Sequence, residues 1–389
     1  MITMIEKKKI LILFEGPHIA YSPTVIQLFD FLNKEFDVYI YLFYTSESQK
    51  LNIADKFIYF KHNTGVKQYI SYIFYKILLI LKDKTVINYN NVIKGKANQF
   101  FYRFKPLSKL IKEEKFDRII SVDIQNLLYC SLLNVESDFL SLELCTNEEM
   151  LKDVNQKIIK TVLIQSEVRY NYLFGKNNIN RFFIQNAPIY YNVQIPNNRR
   201  GFIYSGTAWE PFGFFHCLEY IDKNENEIMF VQGALPSESS DKINAKYLHL
   251  KESGRLNFMA NYIPNDKVVE SILRFEIGFC FYNFDIEWIN TFNYISAPSG
   301  KLFKYLAAGI PVICNDIIGF QFIRENSCGV LIKRLDNDSI RIATEQIRKN
   351  YKEYSQNCIN YAKQVSFDRA IEPYLQYLRN QMESKSTNS

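Results

Sequence analysis

Ser299-Gly-Lys-Leu-Phe-Lys-Tyr-Leu-Ala-Ala-Gly-Ile-Pro311 is the stretch that decides the fold. Ala297, Pro298, Ser299 and Gly300 make a turn, and Lys301 to Ala308 reads as the helix it opens. The first turn of a helix leaves backbone N–H groups without intrahelical partners. The helix dipole adds partial positive charge at that end, and Lys301 brings an ammonium beside it. Together these make a site for phosphate or pyrophosphate. One charge-assisted contact there contributes about 1.5–3 kcal/mol. Gly309 supplies a left-handed stop, and Pro311 leads into a buried strand over 311–314. On physical grounds alone, a capped surface helix without a ligand fits equally well.

Outward from this segment, short apolar runs alternate with helical patterns. Strands are predicted over 10–14, 37–43, 57–60, 118–123, 139–143 and 161–164, with a helix over 24–34. A polar linker, Ile195-Pro-Asn-Asn-Arg-Arg200, follows Asn186-Ala-Pro188. The pattern then restarts over 201–204, 227–231, 256–258, 277–282 and 311–314. Strands spaced by helices imply parallel units in a doubly wound α/β sheet. Two such domains are expected, over 1–192 and 199–365, with a C-terminal helix and polar tail over 366–389. A helix over 369–379 returns to the N-domain in this reading, and the last ten residues are expected to fray. A cleft between the C-terminal ends of the two sheets would be the ligand site.

Composition narrows the classes. At 389 residues, 47% hydrophobic and 23% charged, the chain is long enough for two cores and is not a disordered sequence. Its most apolar long stretch, Ile70 to Leu81, is about two-thirds of a membrane span and contains Lys76. Lys7-Lys-Lys9 precedes an apolar run too short for a signal peptide. The seven cysteines form no CxxC pair and are read as buried thiols of a reducing cytoplasm. Four histidines without ligand spacing give no zinc site, and no Asp-x-Asp pair is taken as a metal site.

The net charge of +6 is uneven. From Lys61 to Arg118 thirteen Lys and Arg stand against four Asp and Glu, a net +9, leaving −3 for the rest. Tyr72, Phe74, Tyr75, Phe100, Phe101, Tyr102 and Phe104 are interleaved with these cations. Such a surface docks on anionic lipid headgroups; a solvated helix face is the alternative. No nucleic-acid motif accompanies it.

Lys301-Leu-Phe-Lys-Tyr-Leu-Ala-Ala-Gly-Ile-Pro-Val-Ile313 resembles the donor-site helix of GT-B glycosyltransferases, family 4 and its relatives especially. Many of those read Pro-x-Lys-Leu-Phe-Glu-Tyr-Leu-Ala-x-Gly-x-Pro-Val. Ile277 to Tyr282 resembles the strand and loop before that helix, and Asn257 to Pro264 the element flanking the nucleotide base. Gly319 and Gly329 fit the loops after it. Tyr204-Ser-Gly-Thr207 resembles the loop after the first C-domain strand, and Ile164 to Arg169 with Asn186-Ala-Pro188 the end of the N-domain. The resemblance covers most of 139–335. It implies transfer of a hexose-type sugar from a nucleotide-sugar to a surface glycan or lipid-linked acceptor. No cofactor or metal is implied beyond the nucleotide-sugar co-substrate. Gly16, Gly206, Thr207, Tyr262, Tyr282, Ser296, Ser299, Gly300, Lys301 and Leu302 would line the donor site. The setting would be the cytoplasm, with peripheral contact at the inner membrane face through 61–118.

Two departures stand out. Lys304 occupies the place of a Glu that holds the ribose hydroxyls in the family, and Ser296 that of the earlier Glu of its paired motif. A lysine has no acceptor lone pairs for a hydroxyl proton. The Arg and Lys that grip the pyrophosphate after Gly206 are also missing from Thr207-Ala-Trp-Glu-Pro-Phe-Gly213. On the acceptor side, Asp123 and Glu143 end two strands, and His18 lies in the loop after the first, so each is a candidate base or acceptor ligand. Helix capping, a bonded strand end and an exposed ring are the respective structural alternatives. Trp288 and Tyr294 either pack on a sugar or base or pack their own loop. A nucleotide-sugar epimerase or hydrolase and a non-catalytic partner subunit are the rival functions.

Overall fold

The computed structural model describes residues 7–15, 19–42, 54–59, 106–142, 151–259 and 263–386. The chain divides into two compact units, Met1–Phe183 with Ile371–Ser389, and Ile184–Ala370.

Among the described residues the first unit has seven parallel strands: β1 (Lys9–Phe14), β2 (Asp37–Leu42), β3 (Phe57–Tyr59), β4 (Arg118–Val122), β5 (Ser137–Leu140), β6 (Ile159–Ile164) and β7 (Asn180–Phe183). Their order is β3-β2-β1-β4-β5-β6-β7. β1 is buried from Ile10 to Phe14 without alternation, as a parallel strand covered on both faces must be. The direction of sheet growth reverses between β1 and β4, which is where doubly wound sheets bind ligands.

The helix Phe367–Ser386 contributes its residues from Ile371 onward to this unit. It runs beyond the predicted 369–379, and Met382 is buried, so the expected frayed tail is instead ordered as helix to Ser386. What holds it is polar as well as apolar. Asp138, fully buried on β5, accepts two bonds from the Arg118 guanidinium at 2.6 Å each and one from the Tyr374 hydroxyl at 2.7 Å. Burial works against the Arg118 charge, but the Asp138 carboxylate outweighs it and holds the guanidinium protonated. Phe182 of β7 packs edge-on against Tyr374 at 5.6 Å.

The second unit has, among its described residues, six parallel strands: β8 (Phe202–Ser205), β9 (Met229–Gln232), β10 (Leu256–Phe258), β11 (Ile277–Cys280), β12 (Val312–Asn315) and β13 (Gly329–Ile332). The order is β10-β9-β8-β11-β12-β13, with the switch between β8 and β11. Strand alternation feeds two cores. Phe202 and Tyr204 join the helices Phe214–Lys223 and Asn337–Lys349 on one face. Ile203 joins Gly300–Ala307 and Tyr351–Val365 on the other. The linker read over 195–200 is not merely polar chain. Arg199 donates to the carbonyls of Ala308 and Gly309, both at 2.5 Å, where the cation also meets the negative end of a helix dipole.

Candidate functional site

The helix Gly300–Ala307 is fixed at both ends and along its length. At its C-terminus Gly309 stands at φ 63°, Gly309 N–H donates to Leu306 O and Ile310 N–H to Tyr305 O, a Schellman stop. Midway, the buried Tyr305 hydroxyl accepts from Ser205 N–H at 2.7 Å, which ties the helix to the end of β8. At its N-terminus Leu302 N–H already donates to Ser299 O. Gly300 and Lys301 therefore carry the donors still open at the helix start among the described residues. Gly300 lies against Asn186, whose Nδ2 would stand 2.7 Å from a Cβ placed there.

Lys301 turns toward the switch point. Its Nζ lies 4.7 Å from the Tyr204 ring centroid and 3.9 Å from where a Cβ on Gly206 would stand. No carboxylate pairs with it among the described residues. Burial pushes the Cys217 and Cys280 thiols up, and the Lys301 charge works against that rise in both. Gly206 is exposed, at φ 114°, a conformation that an L side chain rarely adopts. Its N–H is engaged by Gln232 O at 2.8 Å, and its carbonyl sits so close to Gly233 that a Cβ there would approach within 2.2 Å. The result is an unpaired cation, a side-chain-free turn and a helix N-terminus, all at the end of β8 beside β11.

The predicted residues divide. Gly206, Thr207, Ser299, Gly300 and Lys301 gather around this point. Tyr282 is buried in an aromatic cluster with Phe212, Tyr294 and Phe320, and its backbone exchanges two bonds with the Asn315 amide. Ser296 is buried, with its hydroxyl donating to Phe292 O at 2.6 Å, and so presents no free hydroxyl to a ligand. Leu302 is wholly buried in the core, because helical periodicity turns it inward from Lys301. Lys304 is mostly buried with no ion-pair partner among the described residues, and desolvation lowers its pKa. Gly16, His18, Glu143 and Tyr262 lie outside the described residues, as do residues 61–105 of the basic stretch.

Asp123 belongs to the first unit, at the end of β4 beside β1. It stands at φ 60°, a strained setting for a residue with a Cβ, and its Oδ1 accepts from Leu142 N–H at 2.8 Å. Sequence reasoning missed Arg199 and Tyr305, whose partners lie about a hundred residues away. It also passed over an Asp-x-Asp triplet, Asp336-Asn-Asp338. Asp336 there caps a helix by accepting from Ser339 N–H at 2.8 Å, and Asp338 pairs with Arg341 at the surface. The described cysteines, six of the seven, are buried free thiols.

No protein-family model matches the chain, and no curated protein matches it. Solved structures do match. The apo form of the lipopolysaccharide outer core galactosyltransferase WaaB is 12% identical, with a TM-score of 0.63 over 96% of this chain and 99% of that one. HepE of Anabaena in complex with UDP is 9% identical, with a TM-score of 0.64 over 97% of this chain and 100% of that one. A candidate UDP-N-acetylglucosamine 2-epimerase from Listeria monocytogenes is 13% identical, with a TM-score of 0.60 over 97% of each chain. At such identities the likeness is one of fold. The two doubly wound units of this chain have the GT-B fold of the WaaB galactosyltransferase.

Proposed function

We propose that the protein is a glycosyltransferase that moves a hexosyl group from a nucleotide-sugar to a surface-glycan or lipid-linked acceptor. The observation that carries this reading is the unpaired Lys301 ammonium beside Gly206 and the helix N-terminus. As the glycosidic bond to the donor breaks, negative charge grows on the departing pyrophosphate. Lys301 and the N–H groups of Gly300 and Lys301 would stabilise that charge without reorganising. They would serve in place of a metal ion, so transfer is proposed to be metal-independent. The complexed nucleotide of HepE makes UDP the first nucleotide to test.

Asp123, Glu143 and His18 are proposed for the acceptor side, where one of them would accept the proton of the attacking hydroxyl. The basic aromatic stretch 61–118 would hold the enzyme at the cytoplasmic membrane face, near a lipid-linked acceptor. Among the described residues no helix is long and apolar enough to cross a membrane.

A second reading, epimerisation or hydrolysis of the nucleotide-sugar, is favoured by the Listeria neighbour alone. A third, a non-catalytic partner subunit, is favoured by Lys304 and by the missing cations after Gly206. Incubation with UDP-, GDP- and ADP-sugars separates the three. A transferase consumes its donor only when acceptor is added. Conversion without acceptor supports the second reading, and absence of nucleotide binding supports the third.

A further inference from the structure

The loops that leave the switch point carry both tryptophans of the chain, and they meet. Trp209 follows β8 and Trp288 follows β11, with ring centroids 5.6 Å apart and planes at 41°. Phe212 and Tyr294 pack around them, at 6.4 Å and 5.8 Å from Trp288. The loops are bonded directly, Asn283 N–H to Pro211 O at 2.9 Å. Trp288 is not a loose residue. The buried Ile289 follows it, and the turn closes through Ile289 N–H to Ile286 O at 3.0 Å. Even so, 45% of Trp288 remains exposed, an unusual state for an indole backed by three other rings.

Two further features say what this surface fits. Asp285, Glu287 and Asn290 are exposed in the turn that carries Trp288, and neither carboxylate has an ion-pair partner among the described residues. An exposed indole on a turn that also presents acceptors suits a ring with an apolar C–H face and a hydroxyl rim. The carboxylates disfavour a ring that carries its own negative charge. The loop that carries Trp209 is also bonded to the chain beside the anion site. Trp209 N–H donates to Thr207 O at 2.9 Å, and the Tyr204 hydroxyl donates to Thr207 O and Phe212 O. That same Tyr204 ring lies beneath Lys301 Nζ.

We propose that the exposed face of Trp288, backed by Trp209, stacks on the uncharged pyranose of the donor, with Asp285, Glu287 and Asn290 accepting or sharing bonds with its hydroxyls. This deepens the nucleotide-sugar reading and rests on it.

The two tryptophans make the test direct. In the full chain carrying Trp209→Phe, Trp288 is the sole indole, so fluorescence excited at the red edge of the indole band reports on it alone. The probes are UDP, GDP and ADP, then UDP-glucose, GDP-mannose and ADP-glucose. The expected result is that one hexosyl nucleotide changes the emission more than its parent diphosphate does. Trp288→Ala should weaken that hexosyl nucleotide roughly ten-fold in calorimetry while the parent diphosphate binds as before. Trp288→Phe should restore most of the loss, which a folding defect would not. If diphosphate and hexosyl nucleotide bind equally and Trp288→Ala changes neither, the platform is overturned while the nucleotide site stands. If no nucleotide binds the unaltered chain, the underlying reading fails first. A response to free maltooligosaccharides alone overturns the donor assignment in favour of an acceptor.

Discussion

Lys301 and Tyr204 meet across the switch point of the second sheet, the ammonium 4.7 Å from the ring centroid. The ring attracts the cation but does not neutralise it, so the charge stays available to an anion. Lys301→Ala should therefore weaken nucleoside diphosphate binding by about ten- to hundred-fold, from the loss of one charge-assisted contact of about 1.5–3 kcal/mol. The melting temperature of the unliganded protein should stay nearly unchanged. Calorimetric titration with the diphosphate checks this, and unaltered affinity would remove the proposed site.

Lys304 should behave in the opposite way. An ammonium buried without a partner costs stability, and Lys304→Met should return on the order of 1 kcal/mol. That is a rise of about 2–4 °C in melting temperature. The pH dependence has a definite sign. Desolvation lowers the folded-state pKa of Lys304, so below it both states are charged and the cost is fully present. As pH rises from there toward the ordinary lysine value, the unfolded state holds more protons and the wild type gains stability. The advantage of the Met variant should shrink across that window.

Asp123→Asn separates chemistry from architecture. Asparagine tolerates the left-handed backbone and keeps an acceptor for Leu142 N–H, so folding should be retained. If the carboxylate takes the acceptor proton, kcat should fall by about 10²–10⁴ with nucleotide affinity unchanged. Asp123→Ala, lacking both features, should in addition unfold at lower denaturant. An Asn variant with full turnover leaves Asp123 a structural residue.

Asp138→Asn should be costly, because it leaves Arg118 buried against a neutral partner; about 3–5 kcal/mol is expected. Tyr374→Phe removes a single bond to the carboxylate and should cost about 1.5–3 kcal/mol. The paired replacement of Arg118 and Asp138 by Met and Leu should be far milder than either change alone. Urea denaturation of the wild type, Arg118→Met, Asp138→Leu and the double variant measures the coupling.

The parts of the fold read from sequence are those fixed locally. Gly309 and Pro311 announce a helix stop and a strand start within three residues, and the central strands read as unbroken apolar runs. β7 and β13 escaped, although the opposite edge strands β3 and β10 were read; both are only partly buried. Asn-Arg-Phe-Phe in β7 carries neither the continuous run of a central strand nor a clean alternation. Within the candidate site, the backbone freedom of Gly206 and the charge of Lys301 were legible because both belong to the residue itself. Ser296 and Leu302 were misjudged because a family position says nothing about which way a side chain faces. Arg199 and the Tyr305 hydroxyl act on partners about a hundred positions away, beyond any local pattern.

The buried Asp138 has a consequence for how the protein is made. Its guanidinium partner is translated twenty residues before it, but its hydroxyl partner arrives two hundred and thirty-six residues later. Domains generally fold in the order they leave the ribosome, the N-terminal one first. Here the N-terminal unit must wait as an incomplete body, its sheet lacking the cover of Tyr374 and Tyr377, while the whole second unit is synthesised. The unit that starts first is finished last, and a chain stopped at residue 370 would carry a finished second unit beside an unfinished first.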